Sequence, residues 1–494
     1  MYRKSIKKSE QKEFENFLLP YGGKLRSDNR WVLLAKEIPW EAIEKKYASQ
    51  FKENGAPAKS VRIALGSLII QTRLSLTDVE TVQQIRENVY MQYFLGYDGY
   101  RDEQPFDSSL LVHFRKRLNF TTIQEINEMI CFGEKKDCEN DKSNDHSGTD
   151  GNQPMTGEKK TESAVGGINE GKLIMDATCV PADIKYPTDL NLLSEARENI
   201  ERVIDHLHRP YAGKRVKVRM YRNKARRDYL RAAKKRKISM KMLRKALRKQ
   251  LGYLGRNLAY LEIMKKTHKK ANLTRWMKNR LKVIHELYRQ QKEMFDQKVN
   301  RIPNRIVSLS QPHVRPIVRG KAGAATEFGA KISVSIASGY GFVNRLDWNN
   351  FNESVDLKDQ VEKYNQRFGV YPESVHADRI YLTRENREYC EKRKIRLMGR
   401  GPGRPPEDKK IRRLLRIQQR NDEGVRVAIE GKFGQGKRRY GLSKIMCKLS
   451  DTSETMIGLI FLIMNLEKKL KVLLLCLLDF LKKYSMKKAN LVFQ

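Results

Sequence analysis

The sequence predicts an α/β domain behind an all-α N-terminal region, with a long basic helical insertion after the first strand. Three observations predict this. The first 133 residues read as short helices. A polar Gly/Asn/Asp/Ser-rich stretch follows over residues 134–170. Beyond it, short apolar runs of strand character alternate with helical ones.

The N-terminal region, 1–133, carries its own boundary signals. One helix is expected near residues 59–72. A second begins at Thr77, with Glu80 three residues on, the spacing of a capping box. The run "FDSSLLVHFRKRLNF" starts a third near Asp107 or Ser108 and offers Arg115, Lys116 and Arg117. Short helices, tight turns and a basic helix suit a helix-turn-helix-like DNA reader; a helical dimerisation or packing domain is the alternative. Residues 134–170 hold 5 basic and 9 acidic residues without periodicity, which predicts a flexible acidic linker.

The catalytic-type domain is expected over 171–466, with a C-terminal helical tail over 467–494. "KLIMDATCV" is an apolar strand interrupted by Asp176. "AKISVSIASGYGFVNRLDW" is two alternating runs about a glycine-containing turn, a hairpin. "VDLKDQVEKYNQRFG" is helical, "SVHADRIYL" is a short strand carrying Asp378, "TRENREYCEKRK" is helical and "IRLMGR" is a strand. A helical stretch with a break near Asn421 carries Glu430, and a last long helix starts near Thr452.

The chain has 494 residues and a formal net charge of +41. So large an excess resists compaction unless a polyanion neutralises it, so double-stranded nucleic acid is the expected partner and an anionic membrane surface the rival. The longest apolar stretches are too short to span a bilayer. No membrane partner is therefore expected. The six cysteines form no zinc or disulfide pattern, and the N-terminus lacks the apolar core of a signal peptide. These features predict a reducing, cytosol-like compartment. The charge is concentrated in the insertion, expected over about 195–300. Residues 209–298 hold 31 basic and 5 acidic residues, a net of +26. Leu243, Leu247, Leu251, Leu254 and Leu258 recur there at helical spacing, so basic helices with one apolar stripe are expected. Their partner would be the phosphate backbone, gripped in part by Lys234, Lys235, Arg236 and Lys237.

Three acids stand out. Asp176 interrupts a buried strand, where a carboxylate is costly unless it is paired or bound to a cation. Asp378 ends a strand, where α/β sheets place ligands. Glu430 shares a helix face with Arg426 and Lys437. Each has a structural alternative: a carboxylate bonded to backbone N–H groups, a helix N-cap and a surface ion pair, respectively. Together they have the composition of a two-metal phosphoryl-transfer site, with carboxylates converging within a few ångströms. Gly431, Gly434 and Gly436 follow Glu430. Each costs roughly 1 kcal/mol relative to Ala inside a helix, which implies either the helix end or close approach of a substrate.

The segments "LIMDATCVPADIKYPTDLNLLSEARE", "KAGAATEFGAKISVSI", "HADRIYLTRENREYC" and "RVAIEGKFGQGKRRYG" resemble those of bacterial insertion-sequence transposases of the DDE type. The resemblance covers most of the chain. It includes the family pattern Tyr, two residues, Arg, three residues, Glu, six residues, Lys, here ending on Arg426, Glu430 and Lys437. Glu423 stands where the family has Tyr, read here as an acid in the first turn of a helix. Ile380 stands where the family often has Gly after Asp-Arg. The resemblance implies an RNase H-like mixed-sheet core and a catalytic and metal-binding Asp176–Asp378–Glu430 triad. It also implies two Mg²⁺ or Mn²⁺ ions, cleavage at transposon ends and strand transfer into a target. DNA contacts would come from Arg426, Lys437, Arg438 and Arg439, and the working form would be a homodimer or higher oligomer. Other readings are a metal-dependent nuclease without strand transfer, and an inactive or domesticated DNA-binding derivative. A basic RNA-binding or ribosome-associated protein would not need the acidic trio.

Overall fold

The computed structural model describes residues 16–51, 57–133, 169–268, 272–321, 324–399 and 407–492, with side chains of 319–325 and 476–492 left aside. Nearly all of the expected linker lies outside these residues.

Seven helices open the chain: α1 (Arg30–Glu37), α2 (Trp40–Ala48), α3 (Val61–Leu74), α4 (Asp78–Glu87), α5 (Val89–Phe94), α6 (Leu110–Arg117) and α7 (Phe120–Phe132). The caps follow from side-chain chemistry. Ser60 accepts from the Ile63 N–H at the start of α3, and Thr77 accepts from the Glu80 N–H at the start of α4. Helix α3 is buried along most of its length, with Ala64, Leu65, Leu68, Ile69 and Ile70 all sealed from solvent.

Beyond residue 168 the chain builds β1 (Lys172–Pro181) and then a helical insertion of α8 (Asp189–His208), α9 (Arg222–Ala233), α10 (Met240–Thr267) and α11 (Arg275–Gln297). The leucine stripe works as its spacing predicts. Leu251, Leu254 and Leu258 of α10 are buried with Ile200 and Ile204 of α8 and Ile284 and Leu287 of α11, a core separate from that of the sheet. Lys234, Lys235, Arg236 and Lys237 are exposed in the turn between α9 and α10.

The sheet resumes with β2 (Arg315–Lys321), β3 (Ala324–Ala337) and β4 (Tyr340–Asp347), followed by α12 (Asp356–Phe368), β5 (Ser374–His376), α13 (Arg384–Lys392), β6 (Arg396–Leu397), α14 (Lys409–Arg439) and α15 (Ser450–Val492). The expected hairpin is β3–β4, turned by Ser338 and Gly339, both at positive φ. The strand order is β2-β3-β1-β5-β6, with β4 also paired to β3. β1 is antiparallel to β3 and parallel to β5, and β5 is parallel to β6. Leu173 and Met175 face α12 and α13, in a core with Val361, Tyr381 and Cys390. On the other face, Ile174 and Val180 lie in a core with Ile429 and Phe433 of α14 and much of α15.

Four expectations change. β2 was not foreseen. Asp378 lies just past β5 rather than in it. The helix carrying Glu430 does not break near Asn421 but runs unbroken from Lys409 to Arg439. The boundary expected at 466/467 falls inside α15, whose first half shares one core with the N-terminal helices; burying Ile460, Phe461 and Ile463 outweighs any domain division there.

The basic helix α6 also differs. Arg115, expected on a DNA-facing surface, is only 5% exposed. Its guanidinium donates to both carboxylate oxygens of Asp78, at 2.9 and 2.7 Å, and to Gln71 Oε1 at 2.8 Å. Lys116 and Arg117 are exposed, and Arg117 lies 4.2 Å from the centroid of the Phe51 ring. Among the described residues, no helix is long and apolar enough to cross a membrane. Cys131, Cys390 and Cys447 are free thiols.

Candidate active site at the strand ends

Register brings the first two acids together. In the parallel pairing of β1 with β5, Ile174 stands beside His376. Asp176 and Asp378 each lie two residues further along. Asp176 is on the same strand face as Ile174, toward α14. α14 brings the third acid: Ile429 and Phe433 anchor it in the core, and Arg426 and Glu430 lie one turn apart on its flank.

Arg426 joins the group. Its Nη2 donates to Glu430 Oε1 at 2.9 Å, and its Nη1 lies 4.0 Å from Asp378 Oδ1. Asp176 lies within the electrostatic reach of both Arg426 and Asp378. Two acids, Asp378 just past β5 and Glu430 on α14, thus flank one guanidinium, and Asp176 of β1 lies within its electrostatic reach.

Each acid also fills the structural role open to it. Asp176 Oδ1 accepts the Ala177 N–H at 2.8 Å, Asp378 caps a short 3₁₀ turn through the Arg379 N–H, and Glu430 pairs with Arg426. Asp378 and Glu430 are half-exposed, at 54% and 53% of their side-chain surface, whereas Asp176 is more enclosed.

Burial pushes the Asp176 carboxyl up to about 6, with Glu353 and Asp378 adding to the rise while the Ala177 N–H and Arg426 oppose it. Glu353 is an acid that sequence reading missed. It sits in the loop after β4, pairs with Lys331 at 2.8 Å and is 19% exposed. Nothing in its polar surroundings in sequence marks it; only the fold brings it near Asp176.

The raised value has a stability consequence. Asp176 binds its proton more tightly folded than unfolded, so its contribution falls as pH rises from its ordinary 3.8 to about 6 and stays unfavourable above that. In metal-free buffer at pH 8, Asp176→Asn is expected to stabilise the chain by up to about 3 kcal/mol, a rise of roughly 1–3 °C in Tm. At pH 3.5 both chains should melt together. Calorimetry at the two pH values checks this, and an Asn variant less stable than wild type at pH 8 would contradict it.

The donor set is all carboxylate oxygen, the chemistry that hard divalent cations select, and a cationic group already stands among the acids. The spacing differs from the sequence expectation. Among the described residues, no group of three His, Cys, Asp or Glu side chains is close enough to hold a metal ion. Arg426 lies between Asp378 and Glu430 and keeps their carboxylates apart.

The remaining basic candidates lie further along α14. Lys437 is half-buried two turns beyond Glu430 on the same face, and Arg438 and Arg439 are exposed in the last turn. Glu423 lies in mid-helix, not in a first turn, and accepts from Gln419 at 3.0 Å. All three glycines are inside α14, so they do not mark its end. A Cβ at Gly436 would crowd Leu442, a packing reason, but nothing lies within 4 Å of the Cβ position at Gly431.

Two family models match this chain. The Transposase DDE domain matches residues 375–467, from β5 into α15, and includes both Asp378 and Glu430. The Transposase domain (DUF772) matches residues 20–117, from before α1 through α6. Together the two matches indicate an insertion-sequence DDE transposase. Asp176, on β1, precedes the matched DDE segment, and the basic insertion lies outside both matches. A curated protein similar to this chain, described as "Uncharacterized protein ORF8 in nfe locus" from Rhizobium meliloti, is 30% identical over 95 residues, 19% of this chain and 46% of that protein. The matched stretch spans about half of that relative's length. No solved structure matches this chain.

Proposed function

We propose that this chain cuts DNA at the ends of a mobile element and joins those ends to a target, using Asp176, Asp378 and Glu430 as one site. The observation that carries the reading is that Arg426 lies between Asp378 and Glu430 beyond the end of β5, with Asp176 of β1 within its electrostatic reach. The strand order supports an RNase H-like core: an antiparallel β4-β3-β1 group continued by the parallel strands β5 and β6.

In this reading Asp176, Asp378 and Glu430 would hold Mg²⁺ or Mn²⁺, two ions in all. Divalent cations at such a site supply Lewis acidity toward a phosphate and its attacking oxygen. The chain's own residues bind and orient. Arg426 would turn from the acids toward a phosphate oxygen, which its planar fork suits. Lys437, Arg438 and Arg439 continue the positive surface along α14. The first half of α14 extends that surface outward. Lys409, Arg413, Arg416 and Arg420 recur at intervals of three and four residues, so they share one exposed face of the helix. The open flank at Gly431 allows a DNA strand to come close to Glu430.

The exposed turn at Lys234, Lys235, Arg236 and Lys237 fits phosphate contact rather than base reading, and Lys116 and Arg117 are the exposed candidates of α6. Changing three of the four turn residues to Ala is expected to weaken binding equally on all sequences. It should also reduce the salt slope by roughly one unit per lost contact. Filter binding across a salt series checks this; a loss confined to one sequence would contradict it. Joining two ends to one target calls for at least two copies of the chain.

The direct test incubates the full chain with duplex DNA bearing the element's own ends, with Mg²⁺ or with a chelator. Metal-dependent nicking at the ends followed by joining supports the reading. Nicking at random positions without joining favours a plain nuclease. Tight DNA binding with no nicking favours a non-catalytic derivative.

A further inference from the structure

We propose that Asp422, held by Arg396 and packed beside His376, is a positioning residue that sets the rotation of α14 and so places Arg426 and Glu430 over Asp378. The inference rests on the proposed use of the acids. Asp422, Arg426 and Glu430 are spaced four apart, so they form one slowly turning stripe on the helix. Asp422 is the inner end of that stripe, and its side chain is 8% exposed.

Its partners come from the two parallel strands nearest the site. Arg396 of β6 grips it with two hydrogen bonds, Nη1 to Oδ2 at 2.8 Å and Nη2 to Oδ1 at 2.9 Å. A bidentate pair fixes direction as well as distance, which a single contact would not. His376 of β5, 1% exposed, brings its Nδ1 to 3.5 Å from Asp422 Oδ1, and its Nε2 lies 3.0 Å from Ser374 Oγ. His376 is two residues before Asp378. The helix that carries Glu430 is therefore tied to β6 at a buried carboxylate, which lies against His376 of the strand that leads to Asp378.

Apolar contacts alone would not fix this. Ile429 and Phe433 hold α14 to the sheet, but they tolerate a small rotation or slide better than a forked ion pair does. With side chains a helix is about 10–12 Å across, so a rotation of roughly 10° about its axis moves the Glu430 carboxylate by about 1 Å. Misplacement of about 1 Å at a reacting centre costs on the order of 10²-fold in rate.

The test uses the full chain with Asp422→Asn and Asp422→Ala. The amide keeps the shape and loses the charge, so it protects against a simple failure to fold. Nicking kcat is expected to fall about 10-fold in the Asn variant and about 10²-fold in the Ala variant, with KM for DNA unchanged. Hydrogen exchange across residues 425–433 should quicken in both, while α15 stays as in wild type. A folded Ala variant with wild-type kcat would overturn the proposal. So would a change confined to KM, or unchanged exchange across residues 425–433. The exchange measurement needs no turnover. A wild-type chain that never nicks DNA would end the proposed activity, and the tie between helix and strand would still be tested.

Discussion

Replacing Asp176, Asp378 or Glu430 by Ala is expected to lower cleavage of element ends by about 10³-fold or more, while DNA binding stays within about twofold of wild type. The size follows from the charge. Each carboxylate removed takes one negative group from a site that must hold divalent cations against a phosphate, and losing about 4 kcal/mol of transition-state stabilisation corresponds to 10³-fold. Binding should persist because the lysines and arginines of the insertion and of α14 are untouched. Removing an acid raises the net charge of +41 by one. Asp176→Asn should be nearly as damaging as the Ala variant, since an amide keeps the shape but not the charge, even though it is expected to stabilise the metal-free fold. Gain in stability with loss of activity in one variant would separate a functional carboxylate from a structural one. Gel-resolved nicking rates and Tm on the same preparations give both readings.

Arg115→Ala is expected to destabilise the N-terminal helices by about 3–5 kcal/mol, without the sequence-selective loss of DNA binding that a reading helix would show. The guanidinium is buried and forked onto Asp78. Burial alone would push the Asp78 carboxyl up, but hydrogen bonds from Arg115 and Gln71 bring it below its ordinary value. Removing Arg115 leaves a half-buried carboxylate paired only to an amide, the costly way to break such a pair. The backbone carbonyl of Arg115 accepts the Thr455 hydroxyl of α15, a bond that the substitution leaves in place. Chemical denaturation checks the stability. Lys116→Ala, at the exposed neighbour, should change it by less than about 0.5 kcal/mol. An Arg115→Ala chain as stable as wild type would show that the buried fork contributes nothing.

The contrast between Arg115 and Thr77 shows what was legible. Thr77 and Glu80 are three residues apart, and the cap they make is a local property that one turn of chain decides. Arg115 meets partners 37 and 44 residues away, and nothing in "HFRKRL" distinguishes the arginine that turns inward from the two that stay out. The hairpin at Ser338–Gly339 and the leucine stripe of α10 were legible because period and turn chemistry agree there. The unbroken α14 was not. Gly431, Gly434 and Gly436, together with Asn421 upstream, read as a break, and contacts of Asp422, Ile429 and Phe433 with distant strands override that local cost. The acids themselves were legible as residues out of place, a carboxylate in an apolar strand and a glutamate among cations. Their spacing was not, because it depends on where the Arg426 side chain lies. Glu353, Arg396 and His376 gave no signal, since their roles exist only once β4, β5, β6 and α14 are assembled.

The central claim is that one acidic trio serves both cutting and joining. The most direct measurement supplies precleaved element ends with free 3′-hydroxyls, Mg²⁺ and a target duplex, and scores joining separately from nicking for Glu430→Ala against wild type. The account predicts that wild type joins these ends and that the variant, bound to the same DNA, does not. Joining by the Glu430→Ala chain at the wild-type rate would contradict it, and would return Glu430 to being the surface partner of Arg426.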